Sequence, residues 1–423
     1  MKYLKGFTIL LFTFQLMSLS AQKSHWKDSL DVSVYGYVKL DAFYDTRETV
    51  NGREGHFLLW PTAPSYDADG VDRNAHGSFN MLAVQSNFGI KVKGPTILKA
   101  KTNAKIEGDF FGQMNENINL VRLRHAYFQM SWQHTDLLIG QYWNPVFNLG
   151  AFPNTISFTT GTPVLPFSRN PQVRITQHLG NFALIGVVQS QRDYSSFGPN
   201  PANPMSSIPS SEFLKNSGLP EVHGKITYDY KNDDLFFRAG AGGGYKQIVP
   251  FTESPTGYAT NEKVPGISAT AYVNFGLAAW NFKGGIVYGQ NATDVMSLGG
   301  FAVSQVRDSV RAYYEYTCLS SYSLWMDMSK QLGAWNIGVF AGNVENLGSE
   351  SPIVGNTWGI GNDIGRIYRV SPRVYWQNKN FRLAFELEHT AASFGVPDEN
   401  GIPQNTETVA NTRYLLGAYY FFK

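Results

Sequence analysis

Basic side chains at alternate positions are the residues of this sequence that could most clearly act on a solute. Lys99, Lys101 and Lys105 recur on odd positions of one segment, and Arg122 and Arg124 repeat the spacing in a second segment. Successive side chains of a β-strand point to opposite faces, so each set is expected to share one face. Fixed cations along one wall attract anions through their combined field and make or break no covalent bond.

Sites for catalysis or metal binding receive little support. Asp67, Asp69 and Asp72 look like a fragment of a calcium loop, but the glycine at its sixth position and the glutamate at its twelfth are missing. Acidic turn residues are the better interpretation. His125 and His134 have no partner histidine at ligand spacing, and the sequence contains no Gly-x-Ser-x-Gly nucleophile elbow. We therefore expect no enzyme activity, no cofactor and no metal, although catalytic sites are defined by geometry more than by sequence.

The segment 98–110 indicates what kind of element carries the cations. Its even positions hold Leu98, Ala100, Thr102, Ala104, Ile106 and Phe110, and its odd positions hold Lys99, Lys101, Asn103, Lys105, Glu107 and Asp109. One face is therefore apolar and the other densely charged. This pattern recurs along the 423 residues to the aromatic end of the chain. Such recurrence is typical of a transmembrane β-barrel, and it predicts an all-β fold.

Composition agrees with a barrel and excludes other classes. Charged residues make up 16% of the chain and aromatic residues 14%, which suits the aromatic girdles of a barrel at the two membrane interfaces. A formal charge of +2 without a basic block predicts no nucleic-acid partner. The single cysteine, Cys318, excludes an intramolecular disulfide framework.

The N-terminus predicts export. Two lysines precede an apolar run over residues 6–19, and small residues follow it. Residues 1–21 are therefore interpreted as a signal peptide, residues 22–31 as a short periplasmic leader and residues 32–423 as the barrel. A membrane anchor is the rival interpretation, but the run is shorter than the roughly 20 residues of a spanning helix.

Period-two alternation divides the chain into candidate strands joined by short turns and long loops in strict alternation. We predict sixteen antiparallel strands at 32–44, 79–93, 98–110, 119–132, 135–143, 171–179, 182–191, 221–231, 234–247, 266–276, 279–290, 311–328, 334–345, 365–377, 381–391 and 411–422. An even number places both ends on the side of the short turns, which is periplasmic in outer-membrane barrels. This strand number typically encloses a water-filled channel.

Parity assigns the charged faces to the lumen, because Lys or Arg at the lipid midplane costs about 2–4 kcal/mol. The predicted pore-lining residues are Lys99, Lys101, Lys105, Glu107, Asp109, Arg122, Arg124, Arg174, Arg369, Arg373 and Arg382. As a unit, these residues would attract small anions. The alternative is that they form only the hydrated inner wall of an unselective pore.

Three short motifs and the opening strand carry a family resemblance. They are Arg122-Leu123-Arg124-His125-Ala126-Tyr127, Gly140-Gln141-Tyr142-Trp143, Asn170-Pro171-Gln172-Val173-Arg174 and Gly36-Tyr37-Val38-Lys39-Leu40-Asp41. In this order they resemble the DcaP-like porins. The resemblance implies a trimeric, sixteen-stranded outer-membrane diffusion channel that favours small anions such as dicarboxylates.

The loop over 144–170 is the third external loop in this count. The resemblance implies that it folds into the barrel and narrows the pore, and a loop of this length without regular structure is usually functional. The predicted constriction residues are Phe147, Phe152, Asn154, Phe158 and Arg169. The alternative is a lid on the barrel mouth or a contact with a neighbouring subunit.

Together these observations predict a porin in the outer membrane of a Gram-negative bacterium. It would pass small hydrophilic solutes by passive diffusion, with a mild preference for small anions such as dicarboxylates. Its partners would be the lipid bilayer, small-molecule solutes and two further copies in a homotrimer. The alternatives are an unselective general diffusion porin or, from other functional classes, an outer-membrane barrel enzyme or an adhesin.

Overall fold

A computed structural model describes residues 30–112, 115–158, 161–233 and 235–423. The predicted signal peptide and almost all of the predicted leader lie outside these residues. No helix in the described part of the chain is long and apolar enough to cross a membrane.

Sixteen long strands form one antiparallel sheet that closes on itself. They are β1 (Asp31–Asp45), β2 (Ser78–Leu82 and Asn87–Lys93), β3 (Lys101–Asp109), β4 (Arg122–Ser131), β5 (Thr135–Trp143), β6 (Arg169–Leu179), β7 (Phe182–Gln189), β8 (Glu221–Lys231), β9 (Leu235–Ile248), β10 (Val264–Leu277), β11 (Trp280–Gln290), β12 (Tyr313–Leu332), β13 (Trp335–Ser349), β14 (Ile364–Asn378), β15 (Phe381–Pro397) and β16 (Pro403–Phe422). Closure is made by β1 and β16, which pair from Gly36 opposite Phe422 to Asp45 opposite Arg413. The prediction of a closed sixteen-stranded barrel is confirmed.

Short elements lie in the external loops. Loop L1 (residues 46–77) contains a hairpin of Thr49–Gly52 and Phe57–Pro61. The loop between β7 and β8 contains a second hairpin and the short helix α1 (Glu212–Asn216). Between β11 and β12, the strand Gly299–Asp308 pairs with the outer end of β12 and with the strand Thr357–Ile360.

The last two strands are longer than the sequence predicted. The predicted eighth loop, over 392–410, is mostly strand, because β15 continues to Pro397 and β16 begins at Pro403. Phe394 pairs with Glu407 in this extension. Its polar residues do not alternate with apolar ones, which is expected where strands project beyond the bilayer, so the period-two signal ends too early.

Side chains of β1 illustrate how the wall divides between lipid and lumen. Val38 is 56% exposed on the outer face, whereas Lys39 and Asp41 are buried inside. The same division holds for β15, where Leu383 is exposed on the outer face and Glu386 is buried inside. Apolar side chains therefore face the bilayer along both strands.

Two local features correct the predicted third and fourth strands. Leu98 and Lys99 have φ values of 51° and 64° and form the tight turn before β3. Lys99 was predicted to line the pore, and this prediction is wrong because Lys99 lies in the turn and not in the wall. The register between β3 and β4 shifts at Arg124, because Glu107 of β3 pairs with His125 and the next residue, Gly108, pairs with Leu123. This β-bulge adds one residue, so Arg124 and His125 can both approach the lumen.

The external half of the lumen is filled by a hydrophobic core. Apolar side chains of L1, of the third loop L3 (residues 144–168) and of the loop after β11 pack against inward residues of the wall. Representative members are Trp60, Val164, Leu298, Trp325 and Phe340. The sequence predicted a water-filled channel, and this core occupies part of the space that such a channel would use.

Candidate functional site in the lumen

L3 leaves the wall at the end of β5, crosses the lumen and returns at Arg169. On the far side, Val164 packs against β13 at Gly342, where an added Cβ would lie 2.6 Å from its Cγ1 atom. A larger residue at this position would displace the loop. The prediction that this loop folds into the barrel is confirmed.

Three lysines of the wall hold the backbone of L3. Each ammonium group donates a hydrogen bond to a loop carbonyl oxygen, and this use of the charges was not predicted. The pairs are Lys225 with Pro145 (3.0 Å), Lys283 with Phe152 (2.6 Å) and Lys39 with Ile156 (2.8 Å). These contacts come from strands β8, β11 and β1, so the loop is fixed at points around the barrel.

Glu386 of β15 holds the tip of L3 as a hydrogen-bond acceptor, whereas the three lysines are donors. Its carboxylate accepts hydrogen bonds from the backbone N–H groups of Ile156 at 2.5 Å and Ser157 at 3.4 Å. Glu386 is fully buried, so no water replaces these contacts. A hydrogen bond to a charged group contributes about 1.5–3 kcal/mol, which makes this carboxylate a principal anchor of the tip.

We expect Glu386→Gln to loosen the tip of L3, because the amide is neutral and offers a single acceptor oxygen. The measurement is single-channel current, in which frequent short transitions between conductance levels should replace a steady level. Asp327→Asn is the matched control, since Asp327 is also a buried carboxylate of the inner wall and is bonded to Arg373, with no bond to the loop in the described structure. Equal current noise in the two variants would show that Glu386 does not anchor the tip.

The L1 hairpin also enters the lumen, which sequence reasoning missed. Its signal was the apolar run Phe57–Pro61 within a polar loop, and all five residues are buried. At its tip, His56 lies 2.8 Å from the Asp41 carboxylate, and Arg413 donates to the Gly55 carbonyl at 2.6 Å. Burial lowers the pKa of His56. The neutral imidazole can therefore donate its Nε2–H to Asp41.

Ion pairs neutralise three of the five cations predicted on the third and fourth strands, and also Arg169. The pairs are Lys105 with Glu107 (2.7 Å), Arg124 with Glu107 (2.8 Å) and Asp109 (2.9 Å), Arg122 with Asp109 (2.8 Å), and Arg169 with Asp193 (2.9 Å). The structure thus places Lys105, Arg122 and Arg124 close together as members of one cluster that also contains Glu107 and Asp109. A cation beside a carboxylate has a weaker distant field than an isolated cation.

Two other predicted arginines bind residues of the wall and of the loops inside the lumen. Arg369 lies 3.1 Å from Glu388 and donates to the carbonyl oxygens of Thr162 in L3 and Leu59 in L1. Arg373 makes two hydrogen bonds to Asp327, at 2.7 and 3.0 Å. Both guanidinium groups are buried, so their role is structural.

The remaining predicted wall cations have no carboxylate within 4 Å in the described residues. Arg174 donates to Gln172 and to the Trp143 carbonyl. Arg382 donates only to Gln377 among the described side chains. Lys101 is exposed near the short-turn end of β3, on the same face as Lys105.

A cavity of about 290 Å³ lies between L3 and the wall. All five predicted constriction residues line it, namely Phe147, Phe152, Asn154, Phe158 and Arg169. The wall side includes Arg124 and Arg382 with several tyrosines. The predicted loop residues and two of the predicted wall arginines therefore meet at one place.

The acidic segment of L1 forms turns. The Asp67 carboxylate accepts hydrogen bonds from the backbone N–H groups of Asp69 and Val71, and Asp72 accepts from Ser65. The Ser65 N–H holds the pKa of Asp72 below its ordinary value. In the described part of the chain, no three His, Cys, Asp or Glu side chains are placed to hold a metal ion.

A closed antiparallel barrel of sixteen strands with a loop folded into its lumen defines the porin fold of the outer membrane. The family model described as DcaP outer membrane protein matches residues 11–188. The resemblance to the DcaP family is thereby confirmed, and the protein belongs in the outer membrane of a Gram-negative bacterium.

Solved structures share the fold at low sequence identity. The outer membrane channel DcaP of Acinetobacter baumannii has a TM-score of 0.69 and 18% identity, with 94% of this chain and 98% of that chain covered. The anion-selective porin from Comamonas acidovorans has a TM-score of 0.53 and 10% identity, covering 93% and 100%. The trimer form of OmpT of Vibrio cholerae has a TM-score of 0.52 and 10% identity, covering 93% and 100%. No curated protein matches the sequence significantly.

Proposed function

We propose that this protein is a porin through which small hydrophilic solutes diffuse passively, with a mild preference for small anions such as dicarboxylates. The observation that carries the proposal is the cavity between L3 and the wall, where Arg124, Arg169 and Arg382 line the space and no carboxylate of the described residues does. Fixed positive charge in a narrow, low-dielectric passage raises the local concentration of anions. Transport of this kind involves no chemical step.

The balance of charges in the lumen supports a mild preference. Glu107, Asp109 and Asp327 each lie within 4 Å of an arginine. Among the described residues, Lys91 on the inner face of β2, Lys101 and Arg382 have no carboxylate at that distance, whereas Glu386 has no cation at that distance. Positive charge therefore remains in excess along the path. The excess is small, which favours a preference over strict selectivity.

The test is the reversal potential of purified protein in planar bilayers under a potassium chloride gradient. We expect its sign to report a modest excess of chloride permeability at about 0.1 M salt, with a smaller excess near 1 M, because the Debye length falls from about 10 Å to about 3 Å. A reversal potential near zero at both salt concentrations would instead support an unselective pore. Absence of conductance would support a structural barrel or an adhesin.

The same recordings test the proposed homotrimer. Three equal subunits predict three equal conductance steps during closure of one inserted particle. The trimer form of the structural neighbour OmpT supports this part of the proposal. Single steps of uniform size would favour an isolated barrel.

A further inference from the structure

One wall of the cavity beneath L3 is aromatic. Tyr37, Tyr375, Tyr419 and Phe421 line it from strands β1, β14 and β16. The Tyr419 and Phe421 rings are stacked, with centroids 5.6 Å apart and planes 7° apart, and Tyr37 lies 5.9 Å from Tyr419. Three strands therefore present aromatic rings to the cavity.

Arg382 is the cation of this surface. Its guanidinium carbon lies 4.2 Å from the centroid of the Tyr375 ring and 5.1 Å from that of Phe421. Its Nε and Nη2 atoms both donate to one oxygen of Gln377, at 3.0 and 2.7 Å. No carboxylate of the described residues lies within 4 Å of it, whereas Arg124 and Arg169, the other arginines of the cavity, are both ion-paired. Arg382 thus retains its full charge toward an incoming anion.

The facing wall adds a second aromatic side. Trp143 and Phe147 are stacked with centroids 4.4 Å apart, and Phe152 packs edge-on against Phe147 at 5.4 Å. Trp143, Phe147 and Phe152 all line the cavity. A planar ring entering this space would meet aromatic surface on two sides and one uncompensated guanidinium.

We propose that this cavity is a binding site for small aromatic carboxylates, with the carboxylate on Arg382 and the ring between the two aromatic walls. The proposal rests on the porin function above and adds a ligand class to it. Guanidinium groups bind carboxylates through paired hydrogen bonds, and aromatic rings favour offset-stacked or edge-to-face contacts. An aliphatic dicarboxylate can use the guanidinium group but offers no ring for these surfaces.

Equilibrium dialysis of the full-length protein in detergent tests binding independently of conductance. Benzoate is the probe, benzyl alcohol carries the ring without the charge, and succinate carries charge without the ring. We expect benzoate to bind more tightly than either. Comparable binding of all three compounds would overturn the proposal.

Arg382→Gln identifies the residue responsible. We expect it to weaken benzoate binding about tenfold or more, because a hydrogen-bonded charge is lost. Lys101→Gln is the matched control, since it removes a wall cation outside the cavity and should leave benzoate binding unchanged. Each variant must retain the heat-dependent gel mobility of a folded barrel, and Arg382→Lys provides a second folded variant that keeps the charge without the planar fork. Unchanged benzoate binding in folded Arg382→Gln would overturn the assignment.

Conductance separates failure of this proposal from failure of the porin function. If the channel conducts and benzoate does not bind, the ligand class is wrong and the porin proposal stands. If benzoate binds with loss in Arg382→Gln while bilayers show no current, the site is real and the porin proposal is wrong. When both hold, benzoate should interrupt single-channel currents of the wild type and not those of Arg382→Gln.

Discussion

Removal of residues 150–157 from L3 is expected to raise single-channel conductance several-fold with little change in ion preference. This segment lines the cavity through Phe152 and Asn154, and its backbone spans the lumen between Lys283 and Glu386. The loop carries no charged side chain between residues 144 and 168, so its loss widens the path without changing the charge of the wall. Lys283 and Glu386 lose their loop partners, but the opened lumen hydrates them.

The control is an equal shortening of the external loop between β9 and β10 (residues 249–263), which lies outside the cavity lining. That variant should conduct as the wild type does. Unchanged conductance after removal of 150–157 would mean that the L1 tip alone limits the path. A combined removal of the L1 tip and 150–157 would then have to open the channel, or the porin proposal fails.

The strands were predictable because lipid on one side and water or protein on the other impose a period of two on each crossing. That signal fails beyond the bilayer, which is why β16 was predicted to begin at 411 and begins at Pro403. It also cannot locate turns that need positive φ, so Lys99 was assigned to the wall. Both errors arise because the period-two pattern was applied to residues that lie outside the membrane-spanning part of a strand.

The inward fold of L3 was predicted from the family resemblance and from the rank and length of the loop, whereas the role of L1 was not predicted. The run Phe57–Pro61 is too short to be distinguished by sequence from a surface turn. Its burial depends on wall residues distant in sequence, such as Trp325 and Phe340, and on Arg369, which donates to the Leu59 carbonyl. L1 and L3 can pack together inside the lumen only when the closed barrel brings these distant residues around them.

Ion pairing was the least predictable feature of the site. Glu107 and Asp109 lie on the same face as the basic residues, but their distances to Arg124 depend on strand register and on the bulge in β4. Counting charges along the sequence therefore overestimated the number of cations that act without a carboxylate partner. The pairing decides which cations can set ion preference.

Replacement of Lys91, Lys101 and Arg382 together by Glu is expected to reverse the ion preference. Lys91 pairs in register with Lys105 on the inner face, and its ammonium group lies 4.5 Å from the centre of the Tyr35 ring. None of the three cations has a carboxylate within 4 Å in the described residues, so each contributes its full charge to the passage. Exchanging three positive for three negative charges changes the sign of the focused field. The measurement is the reversal potential under a salt gradient, which should change sign at about 0.1 M salt, where screening is weak.

The paired cluster provides the decisive contrast. In Lys105→Gln with Glu107→Gln, one charge of each sign is lost, so the net charge of the lumen is unchanged. Because the Lys105 ammonium and the Glu107 carboxylate lie 2.7 Å apart, their fields largely cancel at the distance of a passing ion. We expect the reversal potential of this double variant to equal that of the wild type. If instead the double variant shifted it strongly while the triple variant did not, the preference would reside in the cluster of β3 and β4, as counting charges along the sequence had suggested.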